Sequence, residues 1–287
     1  EQFHSVQDVV ATQDQKDFYR DTESNFIQFN HQSNFSIMDM QLVLGAYSHY
    51  EDLSQDKTEY AIGVPKTKQE LAGDKSSIEL FSHLEKNWNN RYIISLGARQ
   101  QWDSDFGDFF SPSISARNNI NDNLYVLASA ALGYRVPTLK ERHYEFDHSI
   151  YGYKVIGNTD LQPEQSLSTL LEFGANVQQH KLTVSLFNYD FSNLIITELD
   201  NSINNGLRNY VYQNINQVHS YGFDFNIQSV WARPINWSVN VVKNISTDQQ
   251  TDQAVAERAE NLYSANLSYQ NQGLGKFNIN ANAQSNE

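Results

Sequence analysis

Apolar and polar residues alternate with a period of two along much of the chain. Between 166 and 177 one set of positions is mostly apolar and the intervening set is polar, apart from Leu170. The first set is Leu167, Thr169, Leu171, Phe173, Ala175 and Val177. Segments 92–99, 221–228 and 276–283 repeat the pattern. Because successive side chains of a strand point to opposite faces, the pattern predicts β-strands with one apolar and one polar face.

Strand length and connection length favour a membrane barrel over a soluble sandwich, which would show the same alternation. We count thirteen predicted strands in up-and-down order, many with ten or more residues. Strands in soluble proteins average about five or six residues, whereas a tilted membrane strand needs about 9–11. Predicted short connections are 87–90, 119–122, 178–180, 232–235 and 271–275; predicted long ones are 51–75, 137–165, 200–206 and 248–258. Short periplasmic turns and longer extracellular loops are typical of bacterial barrels.

The sequence therefore predicts an all-β protein, an antiparallel up-and-down transmembrane β-barrel. Aromatic residues near predicted strand ends would form the belts found at membrane interfaces; in a soluble sandwich they would instead be core residues. These residues are Trp88, Tyr92, Trp102, Tyr134, Tyr189, Trp231, Trp237 and Tyr269.

Composition removes several function classes. The chain has no Cys, which excludes disulfides, thiolate metal sites and a Cys nucleophile. Its net charge of −14 argues against a nucleic-acid partner. It contains no Gly-x-Ser-x-Gly, phosphate-loop or His-Glu-x-x-His motif, so we expect no enzymatic activity. A barrel lipase or protease is the weaker alternative, because His83, His180 and His219 lie on different predicted strands without an obvious nucleophile beside them.

Two proline-containing boxes flank the longest predicted loop. The first reads Gly-Tyr-Arg-Val-Pro-Thr-Leu-Lys-Glu from 133, and the second reads Gly-Asn-Thr-Asp-Leu-Gln-Pro-Glu-Gln-Ser from 157. Pro137 cannot donate to a strand ladder, so it should end the strand that begins near Leu124. Pro163 biases the residue before it toward extended geometry. Arg135 and Glu164 could then pair across the mouth of the hairpin.

This pair of boxes resembles the paired boxes of TonB-dependent outer-membrane receptors. In that family an Arg-x-Pro box ends one strand, and an Asn-Pro-Asn/Asp-Leu-x-Pro-Glu box leads into the next; Thr159 stands here in place of the usual Pro. Segments 188–195 and 212–225 look like the strands that follow in the family's order. The resemblance covers about residues 123–270.

The resemblance implies a barrel of 22 strands around a plug. No plug domain or energy-coupling box is recognisable, and the chain ends in Ser285-Asn286-Glu287 rather than a terminal aromatic residue. We therefore expect residues 1–287 to be a partial barrel domain, with the plug and the last strands not present. An open sheet of this size would leave two unpaired edges in lipid, which is costly.

The resemblance also implies a function. We expect uptake of a scarce nutrient across the outer membrane of a Gram-negative bacterium, most readily an iron chelate such as haem or a ferric siderophore. The expected partners are the TonB complex, acting through a plug domain, outer-membrane lipid and the small-molecule ligand; no intrinsic cofactor is expected. The alternative is a passive or adhesive outer-membrane barrel without energy coupling.

Candidate ligand contacts lie in the first box and between the two boxes. In haem receptors of this family a histidine in this region is an axial ligand of the haem iron, so His143 and His148 are candidates. Siderophore receptors place aromatic and arginine side chains at similar heights, which would suit Tyr151, Arg142 and Arg135. The alternative is that the histidines are solvated loop residues and that the boxes only build a stable loop base.

A small acidic loop is the remaining candidate site. Asp103, Asp105 and Asp108 cluster around Gly107 in a spacing that superficially suggests calcium. No Glu closes an EF-hand, so a solvated acidic loop is the simpler interpretation.

Overall fold

The chain is built almost entirely of β-strands in the computed structural model. The structure describes residues 2–9, 17–61, 64–200, 206–229, 234–255, 258–271, 273 and 275–285. Its strands are β1 (Gln2–Val9), β2 (Asp17–Ile37), β3 (Met40–Ala61), β4 (Val64–Trp88), β5 (Tyr92–Asp103), β6 (Gly107–Asn121), β7 (Leu124–Arg135), β8 (Glu145–His148), β9 (Tyr153–Ile156), β10 (Glu164–Val177), β11 (His180–Leu199), β12 (Arg208–Ser229), β13 (Ile235–Asp248), β14 (Gln253–Ala254), β15 (Asn261–Asn271) and β16 (Gly275–Gln284). One α-helix, α1 (Leu139–His143), and one 3-10 turn, η1 (Ser149–Tyr151), accompany them in these ranges. No helix in the described ranges is long and apolar enough to cross a membrane.

Thirteen of the described strands form one antiparallel path in which neighbours along the chain are neighbours in the sheet. The path runs through β1–β7, then β10–β13, and then β15 and β16, while β8, β9 and β14 lie off it. Within the described residues β1 and β16 end the path and do not pair with each other, so the sheet is open. The predicted up-and-down antiparallel order is confirmed, and the number of path strands equals the thirteen expected.

The sheet exposes its apolar face and turns its polar face inward. On β10 the side chains of Leu167 and Phe173 are 41% and 45% exposed, whereas Glu172 between them is partly covered. Glu172 accepts hydrogen bonds from Tyr125 Oη at 2.7 Å and Ser185 Oγ at 3.2 Å. A soluble sandwich would bury its apolar face. The reverse arrangement is the one expected of a barrel in lipid with a polar interior.

Short turns close one end of the sheet, as predicted. The β4–β5 turn places Asn89 and Asn90 at positive φ, which asparagine tolerates better than most residues. Asn87 Oδ1 accepts the Asn90 amide at 2.8 Å and holds the turn. Short connections also join β2 to β3, β6 to β7 and β10 to β11 at this same end.

The prediction of a long loop at 51–75 is wrong. The described residues of this range, 51–61 and 64–75, belong to β3 and β4, which pair from Met40↔Lys86 to Ala61↔Val64 with one register shift near Gln55. Strands β2, β3 and β4 have 21, 22 and 25 residues, and β11 and β12 have 20 and 22. Since about 9–11 residues span the bilayer, these strands continue well beyond it as an extracellular wall.

The aromatic belt prediction is correct for some positions. Trp88, Tyr92 and Trp102 are exposed, and their pairing partners place them on the apolar face. Tyr189 is a correction: it pairs with Ser168 on the polar face and packs between Phe187 and Phe191. A strand position displaced by one residue changes face, so proximity to a strand end does not decide the side. Trp231 lies outside the described residues.

Buried apolar residues gather at the extracellular end rather than inside the membrane sheet. One cluster joins Leu53 and Leu71 of the wall to Leu139 of α1, with Tyr144 packed against it. A second cluster joins Leu194, Val218 and Val255. The extracellular end therefore has its own small cores, which give the connections there a defined structure.

A candidate ligand-binding mouth

The two proline boxes clamp the base of the 136–163 connection. Arg135 and Glu164 are partners in the β7–β10 ladder, and β7 ends before Pro137, as predicted. Arg135 Nε and Nη2 donate to the two carboxylate oxygens of Glu164 at 2.7 and 2.6 Å. Its Nη1 donates to Glu141 at 2.9 and 3.1 Å. The predicted Arg135–Glu164 pair is confirmed, and a second carboxylate completes it.

The second box is also tied to β12. Gln162 N donates to Asn214 Oδ1 at 2.9 Å, and Asn214 Nδ2 returns a bond to Gln162 O at 3.0 Å. Asn158 Nδ2 donates to the Tyr212 carbonyl at 3.0 Å, and Leu161 is 1% exposed. The segment beginning at Tyr212, which sequence analysis singled out, thus holds the second box in place.

Helix α1 fixes the loop to the wall. Thr138 caps the helix in a capping box, because its hydroxyl accepts the Glu141 amide while Glu141 accepts the Thr138 amide. Burial raises the pKa of the Glu141 carboxyl, but the bonds from Arg135 and Thr138 outweigh burial and lower the pKa below its usual range. Leu139 enters the wall cluster beside Leu53 and Leu71.

Residues 145–156, called here the bridging hairpin, join the two walls of the mouth. β9 pairs in parallel with the extracellular end of β12, where Tyr153 lies opposite Arg208. On the other side, Lys68 of β4 forms an ion pair with Glu145 of β8 at 2.5 Å. Because the hairpin contacts both β4 and β12, it crosses the concave side of the sheet above the membrane.

A buried ion pair anchors the bridging hairpin. Arg20 Nε donates to Glu70 Oε2 at 2.7 Å, and each residue is 2% exposed. Gln55 Nε2 donates to the same Glu70 oxygen at 2.9 Å. Arg20 Nη2 and Lys57 Nζ donate to the Asp147 carbonyl at 2.9 and 3.4 Å. Side chains from β2 and β3 therefore meet the hairpin backbone at the Asp147 carbonyl, and Glu70 of β4 holds Arg20 in place there. Sequence analysis did not identify this contact.

His148 lies at the centre of the hairpin with both ring nitrogens near a partner. Nδ1 lies 2.8 Å from Tyr153 Oη, and Nε2 lies 3.4 Å from Arg20 Nη1. Burial and the charges of Arg20 and Lys57 lower the pKa of His148 below its usual value, which favours the neutral ring. An arginine can only donate, so Nε2 faces Arg20 as an acceptor.

Aromatic rings continue from His148 in both directions. The ring centroid of Phe146 lies 3.9 Å from that of His148, and Tyr144 lies 5.4 Å from Phe146. On the other side, Tyr151 and Tyr153 lie 5.4 and 5.2 Å from His148. The aromatic row of the mouth is defined as Tyr144, Phe146, His148, Tyr151, Tyr153 and Tyr210. Tyr151 is its most open member at 60% exposed.

The acidic loop has a structural explanation. Asp103 Oδ1 accepts the backbone amides of Asp105 and Phe106 at 3.0 and 3.2 Å and so shapes the β5–β6 turn. Asp105 pairs with Arg142, whose guanidinium also lies 5.0 Å from the Phe106 ring centroid. In the described part of the chain no three His, Asp or Glu side chains are grouped as a metal site.

The comparison with known proteins identifies the family. A family model described as TonB dependent receptor-like, beta-barrel matches residues 2–286. The chain belongs to the TonB-dependent receptor family. Proteins of this family are outer-membrane receptors, so this barrel lies in the outer membrane of a Gram-negative bacterium.

Individual relatives of this receptor barrel are distant. The iron-regulated outer membrane virulence protein of Vibrio cholerae O395 is 24% identical over 234 residues, which are 71% of this chain and 35% of the relative. The siderophore receptor PirA from Pseudomonas aeruginosa has a TM-score of 0.67 at 15% identity over 94% of this chain and 50% of that chain. The copper transporter OprC has a TM-score of 0.70 at 11% identity over 89% and 42%. The chain spans about a third of the length of the curated relatives, and the structural matches show the fold.

The receptor's predicted site residues lie around the mouth but do not form one cluster. His148 and Tyr151 are in ring contact. Arg135 is held by two carboxylates, and Arg142 is paired with Asp105. His143 packs against Gly73 of β4, where a Cβ would lie 3.2 Å from its ring; burial and the Arg142 charge lower its pKa. Arg135 and Arg142 thus position the loop, whereas Tyr151 is open to a ligand.

Proposed function

We propose that this protein takes up a ferric chelate across the outer membrane, driven by TonB acting through a plug domain. The observation that carries the proposal is the aromatic row on a hairpin that crosses the mouth of a TonB-dependent receptor barrel. Aromatic rings present flat apolar faces that suit a flat or aromatic chelate. The similar proteins also favour uptake of an iron chelate, since one is iron-regulated and another is a siderophore receptor.

Among iron chelates, an aromatic siderophore fits the mouth better than haem. Axial ligation of haem iron needs a free lone pair on a ring nitrogen. His148 directs Nδ1 toward Tyr153 and Nε2 toward Arg20, and His143 lies against Gly73. Haem remains the second candidate, because both histidines lie on the loop between the two boxes.

A growth assay tests the transport proposal. A strain that lacks its own siderophore receptors would express this receptor in iron-restricted medium, supplied with a ferric catecholate, a ferric hydroxamate or haem. We expect growth on the catecholate only when TonB is present. Growth that does not depend on TonB would instead support a passive barrel.

Binding variants test the role of the aromatic row. We expect Tyr151→Ala to weaken binding of the ferric catecholate by about 5–150-fold, the usual cost of removing one stacked contact of about 1–3 kcal/mol. The matched control is Tyr50→Ala, an exposed tyrosine on the face of β3 opposite to Leu53 and Gln55. Equal losses in both variants would contradict a specific role for the mouth.

An absorbance titration separates the two iron chelates. A Soret shift with haem that disappears in the double variant His143→Ala and His148→Ala would favour haem. Haem binding that is unchanged in that variant would remove both histidines as axial ligands.

A further inference from the structure

A groove lies on the lipid-facing side of the sheet, close to the periplasmic turns. It encloses about 710 Å³ and is lined by Trp88, Tyr92, Ile94, Ala116, Arg117, Asn118, Val126 and Ala128. Most of these residues share the apolar face of β4–β7. The volume is in the range of small-molecule sites.

The strand register explains why the groove exists. Reading across the sheet, Ile94 pairs with Ala116, Ala116 with Ala128, and Ala128 with Leu171. The two alanines leave a depression between larger side chains. Trp88 and Tyr92 form one wall, and the exposed Leu171 and Phe173 of β10 stand on the far side. The groove therefore results from the strand register, which places small side chains beside large ones.

Two cations lie beside the aromatic residues of the groove. Lys86 Nζ lies 5.2 Å from the Trp88 ring centroid, and the Arg91 guanidinium lies 5.4 Å from the Tyr92 ring centroid. Both cations contact an aromatic ring, and in the described part of the chain neither forms an ion pair with an acid. A chain with net charge −14 thus places two basic side chains beside an apolar groove at the membrane interface.

A polar acceptor also lies in the groove. Asn118 Oδ1 is buried and has no hydrogen-bond partner among the described residues. Asn118 pairs with Tyr92 and Val126, so it lies in the row nearest the turns. A buried acceptor without a donor is costly, and a ligand hydroxyl would satisfy it.

We propose that this groove is a selective site for one anionic glycerophospholipid of the periplasmic leaflet. An acyl chain lies over Ala116 and Ala128, the phosphate lies between Lys86 and Arg91, and a headgroup hydroxyl donates to Asn118. The charge complementarity selects an anionic lipid, and the position beside the periplasmic turns selects the inner side of the outer membrane. The inference needs only the outer-membrane location and is independent of the imported ligand.

Native mass spectrometry of the receptor purified from outer membranes tests the site. The detergent-solubilised protein would be titrated with phosphatidylglycerol, phosphatidylethanolamine and phosphatidylcholine. We expect one phosphatidylglycerol to be retained in preference to phosphatidylcholine. The double variant Lys86→Gln and Arg91→Gln should lose about fivefold in affinity per cation removed. The control Lys276→Gln removes a cation at the same end of β16, outside the groove.

A second variant tests the groove without altering charge. Ala128→Trp should fill the depression and abolish retention of phosphatidylglycerol. Ala265→Leu is the matched control, because Ala265 is exposed on the same apolar face but pairs with Ala281 away from the groove. Near-UV circular dichroism and heat-modifiable migration on gels would show that each variant is folded. Retention unchanged by Ala128→Trp, or equal retention of all three lipids, would overturn the proposal.

Discussion

At the residue scale, the mouth depends on charges that are expensive to bury. Arg20 and Glu70 are almost fully removed from solvent, and their attraction must offset two desolvation penalties. Hydrogen bonds from Gln55 to Glu70, and from Arg20 to the Asp147 carbonyl, satisfy part of the remaining polar capacity. Such a network is stable when complete and costly when one member is removed.

Neutralising one partner should therefore release the bridging hairpin. Glu70→Gln keeps the side-chain shape but removes the negative charge that Glu70 places against the buried Arg20, and breaking a buried ion pair costs about 3–5 kcal/mol. We expect amide hydrogen exchange in residues 145–156 to accelerate by at least about 100-fold while the membrane strands stay protected. Glu79→Gln is the control, because its partner Arg99 is 56% exposed and such pairs contribute little. Equal effects of the two substitutions would show that the buried pair does not hold the hairpin.

A pH titration tests the same contact through His148. Its pKa is lowered in the folded protein, so the folded state resists protonation and the neutral form is the stable one. The contribution of neutral His148 to stability is complete above the unfolded pKa of about 6.5, and it is lost as the pH falls below that value toward the folded pKa. The groups around the ring are Arg20 and Lys57, which oppose protonation, and Glu70 and Asp147, which favour it.

Hairpin protection, corrected for intrinsic exchange, should accordingly fall as the pH drops below about 6.5. His148→Gln should remove this pH dependence, whereas His31→Gln, at an exposed position on β2, should keep it. Asp147 does not interfere in this window. Burial opposes its ionisation, but bonds from Ser149 and Lys154 lower its pKa, so its contribution is lost only below the usual carboxyl range. A flat profile in the unaltered protein would contradict the role of His148.

The ion pairs of Arg135 and of Arg20 show which contacts could be predicted from the sequence. The pair of Arg135 and Glu164 was predictable, because Pro137 and Pro163 mark the strand ends that bring them together. The pair of Arg20 and Glu70 was not, since 50 residues separate them and neither lies in a recognisable motif. In the sequence, a charged residue on a strand beyond the bilayer has the pattern of a solvent-exposed residue. Its burial follows only from the position of the hairpin that covers it.

At the element scale, hydrophobic contrast decides which strands can be predicted. Within the membrane, lipid on one side and a polar interior on the other give alternation. In the wall formed by β2, β3 and β4 this contrast disappears, so residues 51–75 looked like a loop although the described part of this range is paired, apart from one register shift near Gln55. Alternation therefore predicts the extent of the membrane band rather than the full length of the strands.

Close strand contact at Gly222 offers an element-scale test. A Cβ at Gly222 would collide with the backbone carbonyl of Lys243 on β13 and lie 2.8 Å from Phe187 Cζ. Backbone cannot move aside without opening the β12–β13 ladder, so we expect Gly222→Ala to lower the free energy of unfolding by about 1–3 kcal/mol or more. Gly133→Ala is the control, because it meets the Ser166 hydroxyl, which can rotate away. Denaturant titration in detergent would measure both; equal stability would contradict the account.

At the scale of the whole molecule, the sheet separates lipid on its outer face from a polar interior on its inner face. Period-two alternation predicted the strands, their order in the sheet and the apolar outer face, because these features follow directly from the bilayer. The mouth follows from contacts between distant segments, such as the β9–β12 ladder and the Arg20–Glu70 pair. Residues such as Tyr151 could be placed on the right loop from the sequence, but their neighbours could not.

Adjacent residues on β11 provide a direct test of this sidedness. Leu186 is 48% exposed and pairs with Leu171 on the apolar face, near the middle of the membrane band. Ser185, one residue earlier, points to the polar face and donates to Glu172 at 3.2 Å. In a soluble sandwich, two neighbouring strand positions differ only in how deeply they are buried. In a membrane barrel, one position faces lipid and the other faces the polar interior.

We expect Leu186→Arg to destabilise the protein folded in a bilayer by about 2–4 kcal/mol, because an arginine on the lipid face is costly at the midplane. Ser185→Arg should cost much less, since its guanidinium would enter a polar interior beside Glu172. Folding into vesicles, followed by denaturant titration and heat-modifiable migration, would measure the difference. The comparison is internally controlled, because both variants add the same charge to the same strand at almost the same depth. If Ser185→Arg were the more damaging variant, the inner and outer faces assigned to this sheet would have to be exchanged, and with them the position of the lipid groove.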